Sequence, residues 1–269
     1  MSLNIIVCIK QVPDPEHFDK ISIDPGTGSI QREGIPSITN PLDRNAIEEA
    51  LRKKEEFGGT VTVLTMGPPQ AKKSIEDALA MGADVGAILC DGAFAGADTL
   101  STACVLSGGI RSLGDFDLIL CGSETVDGAT GHVAAQLAEF LNIPHVTFAR
   151  RINVINEETA IVERSIENGY LRVEVKLPAV ISVLKSINKY RLPTVMGIME
   201  AAGKEIVELG HSACELVGIT GDEIGLKGSP TRVLEVFESP QRRNVEMIGG
   251  KPEEIARRLV RRLYELEAL

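Results

Sequence analysis

Short apolar runs alternate with longer amphipathic segments through the first half of the chain. Such runs predict buried strands at residues 4–10, 60–66, 85–90 and 116–121. Strands that are apolar almost throughout are typically covered on both faces, and their alternation with helices indicates a parallel sheet of right-handed βαβ units. The helical period and the capping residues predict helices at about 43–57 and 70–81, from Asp98 or Thr99 past Ile110, and from about Thr130 to Leu141.

The pattern changes in the second half of the chain. Apolar and polar residues alternate through residues 150–177, around turn signals at Asn156-Glu157 and Asn168-Gly169, which predicts an antiparallel hairpin added to the sheet. The apolar run 178–184 predicts one more buried strand. We therefore expect an α/β domain over residues 1–184 that includes the hairpin.

Residues 185–269 show few sustained periods. Their apolar residues are isolated, and the segment is too long for a loop without a core of its own, so we expect an arm pressed against another protein. The isolated apolar residues include Ile198, Met199, Val233, Leu234 and Phe237. A last amphipathic helix is predicted to begin near Pro252.

Composition and charge narrow the class of protein. The chain has 269 residues, 43 % of them hydrophobic, and a formal charge of −10, which argues against nucleic acid and anionic membranes as partners. No apolar run approaches the roughly 20 residues of a membrane span, so we predict a cytoplasmic protein. The five cysteines form no C-x-x-C pair, and neither a metal site nor a disulfide framework is predicted.

Candidate chemistry lies in the loops that follow the predicted strands. The carboxyl ends of parallel strands meet helix N-termini, whose free N–H groups favour phosphates. These loops are rich in glycine, and Thr99 and Thr130 could donate hydroxyls to a phosphate. No nucleophile elbow, Walker loop or G-x-G-x-x-G motif is present, so the pattern predicts a binding site without an obvious nucleophile or general base.

Several motifs together resemble the β subunits of electron transfer flavoproteins. The motifs are "VCIKQVPD", "NPLDRNAIEEALRKKE", "TMGPPQA", "ALAMGAD", "FAGADT", "VDGATGHVAAQLAEFLNIPHVT", "LPAVISVLKSIN", "GIMEA" and "IGLKGSPT". The likeness runs from residue 4 to about 236 and is greatest to the flavin-bifurcating subgroup of anaerobes. It implies a Rossmann-like, adenine-nucleotide-binding α/β core with an added hairpin, in a heterodimer whose α subunit holds one FAD and contacts residues 185–269.

The resemblance also implies a cofactor site. The adenine end of FAD or AMP would contact Cys8, residues 40–43 and Met66, and the phosphates would lie against residues 125–134. The full set of expected cofactor-binding residues is Cys8, Ile9, Lys10, Asn40, Pro41, Leu42, Asp43, Thr65, Met66, Gly67, Thr99, Thr125, Val126, Asp127, Gly128, Ala129, Thr130, Gly131, His132, Val133 and Ala134.

Which nucleotide occupies the site stays open. Bifurcating members hold a second FAD and pass electrons from NADH to ferredoxin or flavodoxin and to the α-subunit FAD, whereas plain carriers hold AMP. The chain departs from the bifurcating pattern, which has two arginines in place of Ser123 and Gly92. Glu124, Ala129 and His132 are the other departures. Losing two arginines and gaining a carboxylate changes the field around a flavin.

The chain is also expected to carry a surface that docks a partner protein. The resemblance implies that Leu192, Val195, Met196 and Ile198 dock an acyl-CoA-dehydrogenase-type flavoenzyme, with an interface to the α subunit as the alternative. A nucleotide-binding sensor of the universal-stress-protein kind has a similar α/β core. The hairpin after residue 150 and the long C-terminal extension argue against that sensor.

Overall fold

The computed structural model describes residues 2–20, 22–23, 30–31, 34–154, 156, 158–232 and 245–268. Its strands are β1 Leu3–Ile9, β2 Gln11–Pro13, β3 Ser22–Ile23, β4 Ile30–Gln31, β5 Ser37–Thr39, β6 Gly59–Met66, β7 Val85–Leu89, β8 Leu118–Gly122, β9 His145–Val154, β10 Thr159–Ile166, β11 Gly169–Lys176, β12 Ala179–Val183 and β13 Ile206–Leu209. Its α-helices are α1 Pro41–Phe57, α2 Lys72–Met81, α3 Thr99–Leu113, α4 Val133–Leu141, α5 Val195–Ala201, α6 His211–Glu215 and α7 Pro252–Glu265.

The described residues contain one large, mainly parallel sheet. Its nine strands lie in the order β11-β10-β9-β12-β8-β1-β6-β7-β13, and two short antiparallel pairs, β2-β5 and β3-β4, lie outside it. All pairings from β9 to β13 across the centre are parallel, whereas β10 runs antiparallel to both of its neighbours. The predicted α/β fold with a parallel sheet is therefore confirmed, and the predicted strands agree with the observed bounds to within two residues.

Alternate residues of β1 enter two different cores. Ile5 and Val7 pack with α1 and α2 on one face of the sheet, while Ile6 and Cys8 pack with α3 and α4 on the other. Because successive strand side chains point to opposite faces, a strand that is apolar throughout must be covered on both. Burial on both faces explains why the amphipathic period is absent from this strand.

The added hairpin forms where the alternating pattern predicts it. Strands β10 and β11 pair from Thr159↔Lys176 to Ile166↔Gly169, so the connecting turn consists of Glu167 and Asn168. Gly169, with φ of 154°, begins β11 and does not occupy the turn. The turn signal at Glu157 lies outside the described residues.

The chain divides into two compact units, Met1–Leu234 and Glu235–Leu269. Strand β13 pairs in parallel with β7 from Ile206↔Gly86 to Leu209↔Leu89 and so adds an edge strand to the sheet. The four residues of β13 have too weak a hydrophobic pattern to predict a strand. They join the sheet because β7 offers an edge with which they can pair.

The second unit contains the expected final helix α7, with Pro252 in its first turn and Glu254 bonded to the backbone N–H of Lys251 at 3.4 Å. Among the described residues, the structure has no helix that is both long enough and apolar enough to cross a membrane. The apolar residues Val233, Leu234 and Phe237, which we expected to anchor the arm, lie outside the described residues.

Candidate functional site

A cavity of about 320 Å³ opens at the carboxyl ends of β1, β6 and β8, where helices α3 and α4 begin. This volume is at the lower end of the range for small-molecule sites, about 300–1,000 Å³. Residues lining the cavity are Cys8, Ile9, Lys10, Asp43, Met66, Ala97, Asp98, Thr99, Thr102, Leu106, Cys121, Gly122, Ser123, Glu124, Thr125, Gly128, Thr130, Gly131, His132, Val133 and Ala134. The parallel sheet thus forms a cavity at the edge where the sequence predicts a binding site.

Asp43 links three elements at the base of the cavity. Its carboxylate accepts hydrogen bonds from the backbone N–H of Lys10 at 2.8 Å and of Gly122 at 3.0 Å. It lies in the first turn of α1, where the helix dipole favours a negative charge. Burial raises the pKa of Asp43 to about 7, although hydrogen bonds from Asn40 and the two backbone groups oppose the rise. The ends of β1 and β8 are therefore held to the start of α1 through one carboxyl group.

Asn40 fastens the loop that follows β8. Its side chain is fully buried, and its Nδ2 donates to the carbonyl oxygen of Glu124 at 2.9 Å while its Oδ1 accepts from the backbone N–H of Val126 at 3.2 Å. Both ends of the amide are thus engaged with protein backbone. In this structure Asn40 supports the cavity wall and does not face the cavity.

Lys10 and Asp127 connect the end of β1 to the same loop. The Nζ atom of Lys10 lies 2.8 Å from each carboxylate oxygen of Asp127. The lysine side chain is 46 % exposed and the aspartate side chain 12 % exposed. This bidentate ion pair at the mouth of the cavity therefore joins the residue that follows β1 to the loop that follows β8.

Helix α4 begins three residues later than the sequence predicts. Ala129 and Gly131 have φ of 48° and 65°, and residues in this left-handed region cannot continue into a right-handed helix. Its N-cap, His132, makes no side-chain capping bond, and the first intrahelical bond runs from Gln136 to His132 at 3.1 Å. The preceding N–H groups therefore have no intrahelical partner, and the start of α4 is suited to a phosphate.

Helix α3 presents the opposite situation at the cavity. Its N-cap, Asp98, accepts from the N–H groups of Leu100 and Ser101 at 3.0 and 3.1 Å, and its second oxygen accepts from Thr231 at 3.0 Å. The N–H of Asp98 donates to the hydroxyl of Ser229 at 2.8 Å. A carboxylate already occupies this helix start, so an anionic ligand is favoured at α4 rather than at α3.

The inner wall of the cavity is made of sulfur-containing and apolar side chains. Cys8 and Cys121 are paired in register on β1 and β8, and Met66 and Leu106 also line the cavity. Burial raises the pKa of Cys8 to about 12 and that of Cys121 well above its ordinary value. The two groups therefore remain neutral thiols and provide an apolar surface suited to a planar ring.

The charges at the cavity are mostly negative. Asp98 and Glu124 line it as carboxylates, while the cationic Lys10 is paired with Asp127. Ser123, one of the departures from the bifurcating pattern, is 4 % exposed and also lines the cavity. Among the described lining residues there is no arginine, so backbone N–H groups must provide most of the attraction for a phosphate.

The structure brings most of the expected residues to the cavity and leaves some behind it. Those that line it are Cys8, Ile9, Lys10, Asp43, Met66, Thr99, Thr125, Gly128, Thr130, Gly131, His132, Val133 and Ala134. Those that do not are Asn40, Pro41, Leu42, Thr65, Gly67, Val126, Asp127 and Ala129. The second group includes supporting contacts such as Asn40 to the loop after β8, and Thr65, whose hydroxyl donates to the carbonyl of Ile9 at 2.8 Å.

Helix α3 contributes more residues to the cavity than the sequence predicts. Thr102 and Leu106 line the cavity, whereas only Thr99 was expected there. The three residues are spaced by three and four positions and so lie on one helical face. Starting from Thr99, the helical period places Thr102 and Leu106 on the same face.

The expected docking residues form an exposed apolar surface. Leu192 is 76 % exposed, Val195 75 %, Met196 63 % and Ile198 56 %. Met199, 66 % exposed, extends the surface by one residue. These side chains lie in and just before helix α5.

Residues 27–213 match the family described as "Electron transfer flavoprotein domain". The electron transfer flavoprotein subunit beta of Thermoanaerobacterium thermosaccharolyticum is 43 % identical to the chain over 97 % of its length and 98 % of the relative's. The chain belongs to the electron transfer flavoprotein family.

Two further relatives match the chain over nearly its full length. The caffeyl-CoA reductase-Etf complex subunit CarD of Acetobacterium woodii is 43 % identical, covering 98 % of each chain. Protein FixA of Azotobacter vinelandii is 38 % identical over 97 % of this chain and 95 % of its own. Full-length likeness to such subunits confirms the family indicated by the motifs.

Proposed function

We propose that the chain is the β subunit of a heterodimeric electron transfer flavoprotein and holds an adenine nucleotide in the cavity at the carboxyl ends of β1, β6 and β8. The observation that carries the proposal is the uncapped start of α4 beside the thiol-lined wall, in a chain of this family. The first suits a phosphate, and the second suits an adenine ring. The subunit's task is to position a redox cofactor and present it to partner proteins.

The nucleotide in this proposal is FAD in a bifurcating carrier or AMP in a plain one. The cavity volume suits a mononucleotide or the adenosine half of FAD, with any further part of a dinucleotide extending through the open side. When bound, a flavin supplies the capacity to accept and release electrons, and the protein sets its potential. Carboxylates at the mouth, such as Glu124, disfavour added electrons and lower that potential.

The residues of the chain bind and orient the nucleotide in defined ways. The N–H groups that begin α4 hold the phosphate, and Cys8, Met66 and Cys121 pack against the ring. Asp43 and Asn40 keep the walls in place through the backbone bonds described above. None of these roles requires a nucleophile or a general base.

A single measurement tests the cofactor proposal. The purified heterodimer is extracted with acid, and FAD and AMP are counted per dimer. Two FAD per dimer support bifurcation with NADH and ferredoxin or flavodoxin as further partners, and one FAD with one AMP supports a plain carrier. A colourless homodimer that retains ATP would reject the carrier and favour the universal-stress-protein kind of sensor.

The partner of the carrier follows from the docking surface. We name residues 192–199 the docking segment and propose that it binds an acyl-CoA-dehydrogenase-type flavoenzyme. The names of two relatives support this, since one belongs to a caffeyl-CoA reductase complex and another is an acryloyl-CoA reductase electron transfer subunit. Exposed apolar side chains that cluster on one surface typically mark a protein interface.

Replacing Val195 with aspartate tests the docking proposal. A charge in the centre of an apolar contact should raise the KM for the heterodimer as acceptor of a dehydrogenase by at least about tenfold, because a buried unpaired charge costs several kcal/mol. Replacing Leu171 of β11, which is 50 % exposed and lies outside residues 185–269, with aspartate is the matched control. A dissociated heterodimer in the Val195 variant would instead assign the surface to the α subunit.

A further inference from the structure

The four residues before the docking segment, which we name the anchor segment (188–191), are fastened to helix α1. Asn45 donates from Nδ2 to the carbonyl oxygen and the Oδ1 of Asn188 at 3.0 and 2.9 Å, and Asn188 returns a bond from its own Nδ2 to the carbonyl of Asn45 at 3.0 Å. Arg52 donates to the carbonyl of Lys189 at 3.3 Å. The anchor segment thus has two consecutive backbone carbonyls held by one helix.

Arg191 completes the attachment with its backbone and its side chain. Its N–H and its Nε donate to Oε2 of Glu48 at 3.0 and 2.8 Å, and its two terminal nitrogens donate to Oε1 of Glu55 at 2.6 Å and to Oε1 of Glu48 at 3.3 Å. A guanidinium that binds carboxylates through several N–H groups fixes direction as well as distance. The backbone at residue 191 therefore has one preferred orientation.

The carboxylate that receives Arg191 is mostly removed from solvent. The Glu48 side chain is 4 % exposed, and Arg52 donates to it as well, at 2.7 Å. Burial by itself would raise the pKa of Glu48, but the hydrogen bonds from Arg191 and Arg52 hold it below its ordinary value. Glu48 is thus a charged acceptor with little water to compete for it.

Immediately after this attachment the chain becomes exposed and apolar. Leu192 is the next residue, and beyond it the hydroxyl of Thr194 accepts from the N–H of Gly197 at 3.0 Å and caps α5. A methyl group at Gly197 would overlap the carbonyl oxygen of Ala80, so α5 lies in close contact with the end of α2. The docking segment is therefore held at two places. Helix α1 holds the residues just before it, and α2 contacts it at Gly197.

We propose that Arg191 is a positioning residue for partner docking. Its bonds to Glu48 and Glu55 fix the start of the docking segment, so that Leu192 and α5 meet the flavoenzyme already ordered. Ordering apolar side chains before contact removes part of the entropy cost of association. The inference rests on the proposed function, because it takes residues 192–199 as the docking surface.

The experiment uses the complete heterodimer with Arg191→Ala, Arg191→Lys and Glu55→Gln. The probe is an acyl-CoA dehydrogenase supplied with its acyl-CoA substrate, and the readouts are KM for the heterodimer, kcat, nucleotide content and amide hydrogen exchange of residues 192–199. Arg191→Ala should raise KM about tenfold and speed the exchange, while kcat and nucleotide content stay within twofold. The other two variants should give smaller increases. Lysine loses the planar fork but keeps a positive charge beside Glu48, and the Glu55 side chain is 60 % exposed.

A second substitution separates positioning from general stability. Leu192→Ala is combined with Arg191→Ala, and the added rise in KM should be smaller than that of Leu192→Ala in the native background, because the leucine is no longer presented. Independent, multiplying effects would overturn the positioning role. Should Arg191→Ala fail to fold, Arg191→Lys carries the same double-variant test.

The result also separates this inference from the function on which it rests. If Leu192→Ala and Val195→Ala leave KM unchanged in the native background, the docking surface is wrong. If they raise KM while Arg191→Ala changes neither KM nor amide exchange, only the positioning role is wrong.

Discussion

Gly122, the last residue of β8, lies directly against the carboxylate of Asp43. Its N–H donates to Oδ1 of Asp43 at 3.0 Å, and a Cβ atom at position 122 would overlap that oxygen and would come within 2.8 Å of the Cβ of Leu42. The absence of a side chain therefore allows β8 to approach the first turn of α1. This contact sets the floor of the cavity.

Gly122→Ala should remove nucleotide binding and lower stability. The added methyl must displace either Asp43 or the end of β8, and overpacking of this kind costs about 1–3 kcal/mol. Gly92→Ala is the matched control, because nothing lies within 4 Å of a Cβ at that position. Urea unfolding and the nucleotide content of the purified heterodimer measure the two effects. Equal behaviour of the two variants would contradict the assigned contact.

Asn40→Ala should detach the loop that follows β8. The substitution removes the side-chain partner of two part-buried backbone groups, the carbonyl of Glu124 and the N–H of Val126, at a cost of about 0.5–1.5 kcal/mol for each hydrogen bond lost. Thermal unfolding and nucleotide titration of the heterodimer should show lower stability and weaker binding together. Asn153→Ala, on an exposed position of β9, should change neither quantity.

Lys10→Met should weaken nucleotide binding by about three- to tenfold with little loss of stability. The ammonium holds Asp127 at the mouth of the cavity, but the pair is partly exposed, and such pairs contribute only about 0–1 kcal/mol to stability. Removing this positive charge leaves the negative charges of the carboxylates less well neutralised, and they repel the phosphate more strongly. Nucleotide titration at low and high salt measures the change, with the exposed Lys73→Met as control. Unaltered affinity at low salt would count against this electrostatic role.

Asp43 should make the stability of the heterodimer depend on pH. Its pKa rises from 3.8 to about 7 on folding because of burial, so the folded state retains a proton that the unfolded chain releases. The contribution of this group to the free energy of unfolding therefore falls as the pH rises from about 4 to about 7, and stays constant above that range.

Urea unfolding of wild type and Asp43→Asn across pH 5 to 8 checks this dependence. The asparagine does not titrate, so the free energy of unfolding of wild type minus that of the variant should decline up to about pH 7 and then level off. A difference that grows with pH would show that the folded state stabilises the carboxylate.

Much of the fold could be read from the chain. The runs that became β1, β6, β7, β8 and β12 are mostly apolar and rich in β-branched residues and leucine, and the alternation of residues 150–177 marked the hairpin. Strand β13 was not recognised, because four residues of weak pattern become a strand only when β7 offers its edge. The late start of α4 was not recognised either, since the positive φ of Ala129 is unusual for alanine.

The candidate site, like the fold, could be predicted from the sequence only in part. The glycine-rich strand ends and Thr99 indicated where a nucleotide would bind, whereas the supporting role of Asn40 and the cavity-lining positions of Cys121 and Thr102 did not appear. These depend on which side chain turns inward at a junction of distant segments. No local pattern encodes such a choice.

The sequence by itself determined the α/β class, the order of the main elements, the family and the edge of the sheet at which we propose that a nucleotide binds. These follow from hydrophobic period, turn residues and extended motifs, which are local properties of the chain. Only the tertiary structure decided that Asp43 accepts hydrogen bonds from both Lys10 and Gly122. It also decided that Arg191 donates to Glu48 beside the docking segment. Such contacts join residues far apart in the chain, and packing and strand register alone bring them within hydrogen-bonding distance.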